Sequence, residues 1–131
     1  MDNALYYTEV GQMDATMKED IKQRIQKDFE TIANFYGGDA STITIKIHYV
    51  EPWLLQSSGR YVASKNLMHI SIPDNVEFVK NNYLRIRKTL THECIHHFEK
   101  LHHDNVGYKV GFYSGDKDVY TILILAKIWR N

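Results

Sequence analysis

Thr91-His92-Glu93-Cys94-Ile95-His96 lies inside a stretch, Tyr83 to His103, that contains no proline or glycine. On a helix, residues four apart share a face, so His92 and His96 can aim two imidazoles at one point, at the spacing that suits a metal ion. Glu93 projects from the adjoining flank, within reach of a proton on a metal-bound water. With residues placed at 100° steps, Tyr83, Ile86, Leu90, Cys94, Phe98 and Leu101 fall within about 60° of the pole opposite His92. Arg85, His96, Glu99 and His103 fall near His92 itself. One face of this helix is built for a core, and the other carries histidines and a carboxylate.

Outward from that helix, the chain reads as one domain, residues 1–131, of alternating helical and extended segments. Asp14 is a cap for a helix over 14–36, in which Met17, Ile21, Ile25, Phe29, Ile32 and Tyr36 recur at near-fourfold spacing before Gly37-Gly38 ends it. Ile43, Ile45, Ile47 and Tyr49 alternate with Thr44, Lys46 and His48, the pattern of a half-buried strand over 42–50, closed by Pro52. Arg60–Ala63 and Leu67–Ile72 read as a hairpin around Ser64-Lys65-Asn66, and Leu5–Val10 as a further candidate strand. Pro73-Asp74 starts a helical segment that either breaks at Asn81-Asn82 or merges into the histidine helix over 83–103. Asn105 and Gly107 end that helix. Asp116 is a cap for a closing helix over 117–129, whose stripe Val119, Ile122, Leu123, Leu125 and Ile128 is expected in the core. The class is α+β, with helices packed on a small mixed sheet.

Composition narrows the functions. With 44% hydrophobic and 24% charged residues, the chain has the balance of an ordinary globular domain. Its formal net charge of zero argues against nucleic acid or an anionic membrane as the main partner. The most apolar stretch, Val119–Trp129, is too short to span a bilayer. No signal peptide is visible at the N-terminus, so a cytoplasmic location is expected. The single cysteine, Cys94, makes no intrachain disulfide and falls on the apolar face, as a core residue.

The order helix, sheet, short strand and then His92-Glu93-x-x-His96 resembles a zincin metallopeptidase, of the minimal single-domain kind seen in mini-gluzincins or the SprT-like group. The resemblance spans roughly Gly59 to Asp118. It implies a zinc-dependent peptidase acting on a peptide or protein. His92 and His96 hold Zn2+, and Glu93 activates the zinc-bound water and passes its proton to the leaving amine. It also implies that the strand before the active helix, here Leu67–Ile72, borders the cleft and pairs with an extended substrate.

Catalytic zinc takes three protein ligands and a water. His102 stands at the third-histidine position of the metzincin pattern HExxHxxGxxH, but Glu99 replaces the glycine that turns the chain. A helix continuing past Glu99 would point His102 away from the metal and place His103 about 10 Å along the axis from His96. Gluzincins take a carboxylate from the following helix. Asp116, 24 positions after His92, is the residue of choice, with Asp118, His102, His103 and Asp104 as alternatives.

Two further functions fit the same residues. His92, His96 and His102 match the HxxxHxxxxxH pattern of YbeY-like metal-dependent endoribonucleases, although Glu93 and the missing glycine depart from it. A noncatalytic metal-binding interaction module is the other. A ferritin-like di-iron site is disfavoured, since Glu93-x-x-His96 occurs once and such a site needs two. His48 and His69 read as surface or cleft-lining residues, with His69 placed to touch substrate. His97 reads as packing, and Tyr108, Tyr113 and Tyr120 as possible donors to an oxyanion.

Overall fold

The computed structural model of the protein describes residues 12–51, 58–100 and 117–130, with side chains of the last segment from Val119 onward. The first helix, α1 (Ala15–Tyr36), begins where the Asp14 carboxylate accepts the backbone N–H of Met17 at 2.8 Å, satisfying one of the helix's orphan donors. It ends at Gly37, which adopts the left-handed conformation (φ 67°) so that the N–H of Gly38 closes on the Ala33 carbonyl at 2.8 Å.

Three strands follow: β1 (Thr44–Val50), β2 (Gly59–Val62) and β3 (Leu67–Pro73). A single 3-10 turn at Ala63–Lys65 and left-handed Asn66 join β2 to β3. The sheet is mixed, in the order β1-β3-β2. β1 runs parallel to β3 with Thr44 opposite Leu67, and β2 runs antiparallel to it with Gly59 opposite Ile70. Alternation along the strands sends Met68, Ile70 and Ile72 inward, where they are fully buried.

The histidine helix, α2 (Val76–Glu99), starts at Asn75, whose side chain accepts the Phe78 N–H at 2.8 Å. The segment after Pro73 merges into it across a kink at Asn82, where the Asn82 amide donates to the Phe78 carbonyl at 3.0 Å. Its apolar stripe packs as the periodicity requires: Tyr83, Ile86, Leu90 and Cys94 are buried against Ile21, Ile25, Phe29 and Ile32 of α1 and the inner face of the sheet. One buried carboxylate joins the two helices. Asp28 of α1 accepts the Tyr83 hydroxyl at 2.8 Å and Arg87 Nε at 3.0 Å.

The closing helix, α3 (Lys117–Trp129), packs on α2 with a phase different from expectation. Thr121 and Ile124 are buried, whereas Val119, Ile122 and Leu123 are 50%, 51% and 54% exposed. The helix is apolar on nearly every side, so its sequence defines no single inward stripe, and a hydrogen bond decides which face turns in. Among the described residues no helix is long and apolar enough to cross a membrane. The candidate strand Leu5–Val10 and the helix-ending residues Asn105 and Gly107 lie outside the described residues.

Candidate active site

His92 and His96 lie one turn apart on α2, both half-buried, with ring centroids 4.9 Å apart and planes at 85°. The i, i+4 spacing places both rings on one side of the helix. Behind His92 stands α3. The Thr121 hydroxyl, only 1% exposed, lies 3.1 Å from His92 Nδ1. A hydrogen bond at Nδ1 fixes the ring and makes Nε2 the nitrogen that would ligate a metal. Nothing in the sequence singles out Thr121, which sits in an apolar run as an ordinary helix residue.

Glu93 is the more deeply placed of the three, at 6% exposure. It lies beneath the first residue of β2, because Gly59 lets the strand close on the helix. A Cβ at Gly59 would fall 2.6 Å from Thr89 Cγ2 and 3.0 Å from Glu93 Oε2. Only a hydrogen fits there. Burial pushes the Glu93 carboxyl up to about 7, since a carboxylate loses hydration in a low-dielectric setting.

His92 and Glu93 form one end of a cleft of about 750 Å³ that runs along α2. Ser58, Gly59 and Ser71 line it from the sheet, and Asn81, Arg85 and Lys88 from the helix. Leu67–Ile72 does not border this cleft with a pairing edge. β3 is the central strand, hydrogen-bonded to β1 on one side and β2 on the other, so Ile70 and Ser71 only line the wall. The short edge strand β2 is the one beside Glu93.

Several candidate residues are occupied elsewhere. His97 is buried, with Nδ1 2.7 Å from the Tyr61 hydroxyl and Nε2 3.3 Å from Thr42 Oγ1, which makes it a packing residue. Its burial, with Lys100 nearby, holds its pKa below the ordinary histidine value. Tyr120 donates its hydroxyl to one oxygen of Glu99, and Tyr36 donates to the other. This clasp ties all three helices at the end of α2 and leaves Tyr120 committed to structure. His69 does not line the cleft. It sits on the outer face of the sheet, its Nδ1 2.8 Å from His48 Nε2. Cys94 is fully buried.

The end of α2 departs from expectation. The helix stops at Glu99, and Lys100 takes the left-handed conformation (φ 59°) without a glycine. The steric reason for keeping His102 away from His92 required a helix continuing past Glu99, and that reason is removed. Asp116, His102, His103, Asp104, Tyr108 and Tyr113 lie outside the described residues, as does the side chain of Asp118. Among the described residues, no group of three or more His, Cys, Asp or Glu side chains is placed to hold a metal ion. No protein family, curated protein or solved structure matches this chain.

Proposed function

We propose that the protein is a zinc-dependent hydrolase of peptide bonds, with a minimal zincin-like architecture. One observation carries the reading. Two half-buried imidazoles one turn apart, the first held at Nδ1 by a buried hydroxyl, adjoin a carboxylate enclosed at the end of a cleft. His92 and His96 would hold the ion, with a third ligand from Asp116 or His102. Zinc in such a setting supplies a Lewis acid and brings a coordinated water toward ionisation near neutrality.

The remaining steps belong to the chain. Glu93 accepts the proton of the attacking water and delivers it to the departing amine. Its enclosure under Gly59 keeps the carboxylate in one place and limits competing water. Thr121 holds His92 in one orientation. The cleft along α2 offers amides at Asn81 and Asn82 and cations at Arg85 and Lys88, groups suited to a polypeptide backbone and its carbonyls.

The test combines metal analysis with hydrolysis of a quenched-fluorescence peptide library. Wild-type protein incubated with zinc should hold about one ion per chain and cleave. His92→Ala and His96→Ala should lose the ion. Glu93→Gln should keep it and lose cleavage. Absence of zinc from the wild type would refute the proposal. The left-handed turn at Lys100 favours one second reading, a metal-dependent endoribonuclease using His92, His96 and His102. It is distinguished by cleavage of single-stranded RNA and not of the peptide library.

A further inference from the structure

The outer face of the sheet carries a concentration of positive charge that the hydrolytic reading does not use. Outward positions on β1, β2 and β3 are Thr44, Lys46 and His48, then Arg60 and Val62, then Leu67 and His69. None is acidic. Lys46 of β1 and Arg60 of β2 are the direct cross-strand partners of His69, one on each side. They therefore form a row across the sheet, and Lys65 lies exposed in the turn that joins β2 to β3.

Lys46 and Arg60 flank His69 from the two neighbouring strands, and like charges gathered on one face of a sheet are unfavourable. Proteins relieve such crowding with interleaved carboxylates, and none stands among these outward positions. Among the described residues the ion pairs are Lys18 with Asp74 and Arg87 with Asp28; Lys46, Arg60 and Lys65 form none. Repulsion by His48, Arg60, Lys46 and Lys65 adds to burial in lowering the His69 pKa, which is the electrostatic signature of this crowding. Among the described residues, α1 and α2 pack on the opposite side of the sheet and no helix covers this face.

We infer that this outer face is a docking surface for an acidic polypeptide segment. Charge complementarity selects the sign of the partner: carboxylates placed over the row Lys46, His69 and Arg60 would replace repulsion with attraction. No Phe, Tyr or Trp stands among these outward positions, and the rings of His48 and His69 are stacked on each other, which favours a polypeptide over single-stranded nucleic acid, whose binding to a sheet relies on base stacking. Leu67 and its cross-strand partner Val62 form an apolar margin beside the cationic row, suited to an acidic segment that also carries an aliphatic residue. A di-histidine metal site at His48 and His69 is disfavoured by the same surrounding cations.

The experiment uses the full chain and three fluorescein-labelled probes: decaglutamate, decalysine and a ten-nucleotide oligothymidylate. Anisotropy titrations compare wild type with a face variant (Lys46→Glu, Arg60→Glu, Lys65→Glu) and a control variant of equal charge (Lys27→Glu, Lys80→Glu, Lys127→Glu). Wild type should bind decaglutamate, and the affinity should fall as salt rises from about 0.05 to about 0.2 M. The face variant should lose roughly tenfold or more, with the control variant losing much less. If the reversals unfold the chain, the glutamine versions of the same three positions make the same test. Equal losses in the two variants would overturn the inference in favour of bulk electrostatics. Tighter binding of oligothymidylate than of decaglutamate would overturn it in favour of nucleic acid. Absence of decaglutamate binding would overturn it outright. None of these readouts requires zinc or hydrolysis, so the inference stands or falls apart from the proposed activity.

Discussion

Replacing Gly59 by alanine adds one methyl group at the point where β2 closes on Glu93. That methyl would lie 2.6 Å from Thr89 Cγ2, 3.0 Å from Glu93 Oε2 and 3.1 Å from Glu93 Cγ. Non-bonded carbons rest at about 3.5–4.0 Å, so strand and helix must part by roughly 1 Å or Glu93 must change rotamer. Overpacking of this kind costs about 1–3 kcal/mol. The lower backbone entropy of alanine in the unfolded chain offsets about 0.4–1 kcal/mol of that, leaving a net loss of about 1–2 kcal/mol. The functional effect should be larger, since a 1 Å misplacement of a catalytic group can cost about 100-fold in rate. The atoms nearest the new methyl belong to Thr89 and Glu93 and not to His92 or His96, so zinc affinity should remain within about threefold. Urea unfolding, chelator competition and peptide hydrolysis measure the three quantities on the same preparations. Adding Thr89→Ser removes Cγ2 and should restore part of the stability without restoring the rate, because the contact with Glu93 persists. Full stability and full hydrolytic rate in Gly59→Ala would refute the close approach of β2 to Glu93.

Three other outcomes are expected. Thr121→Val keeps the shape of the side chain but removes the partner of His92 Nδ1, so zinc affinity should fall about 10–100-fold in chelator competition. Asp28→Ala strands Arg87 and the Tyr83 hydroxyl at a buried junction of α1 and α2, and should cost about 3 kcal/mol in urea unfolding, with loss below about 1 kcal/mol refuting the junction's importance. His69 should titrate below its ordinary value of 6.5 by NMR, because burial and the adjacent cations lower its pKa. The folded chain then binds fewer protons than the unfolded chain just below that pH, so its contribution to stability is present above 6.5 and lost as pH falls. Removing Lys46 and Arg60 should move the midpoint upward.

Much of the frame was legible because local chemistry fixes local structure. Asp14 and Gly37 bracket α1, and strict alternation marks β1. Opposition of Leu90 and Cys94 to His92 and His96 sets the orientation of α2. Sheet order was less accessible, since alternation tells which face a residue occupies and says nothing of which strand lies beside it. That is why β3 reads as the pairing edge of the cleft, whereas it lines the wall as the central strand and β2 is the edge beside Glu93. Gly59 follows two serines and reads as a loop residue. Its meaning lies in Thr89 and Glu93, some thirty positions away. The phase of α3 was lost for a related reason. A helix apolar all round can turn several faces inward, and Thr121 is satisfied at its buried position by His92, a partner on another helix.

Lys100 offers the sharpest contrast between local propensity and the folded chain. Nothing about lysine favours the left-handed region, where a side chain costs about 1–2 kcal/mol, and the run of residues through His103 contains no helix breaker. Yet α2 ends one residue earlier, at Glu99, whose carboxylate is gripped by the hydroxyls of Tyr36 and Tyr120. Tertiary contacts hold the final turn of the helix in place, and the chain leaves it through a conformation the next residue does not prefer. Lys100→Gly distinguishes this from a helix that runs on. At a left-handed position the glycine relieves strain and should raise stability by about 0.5–1 kcal/mol; inside a continuing helix it should lower stability by about 1 kcal/mol. Urea unfolding gives the sign directly. A stabilised variant means that the chain turns directly after Glu99, which removes the steric objection to His102 as the third ligand of the proposed zinc site, beside Asp116. A destabilised variant means that the helix continues, and favours Asp116 in the proposed site.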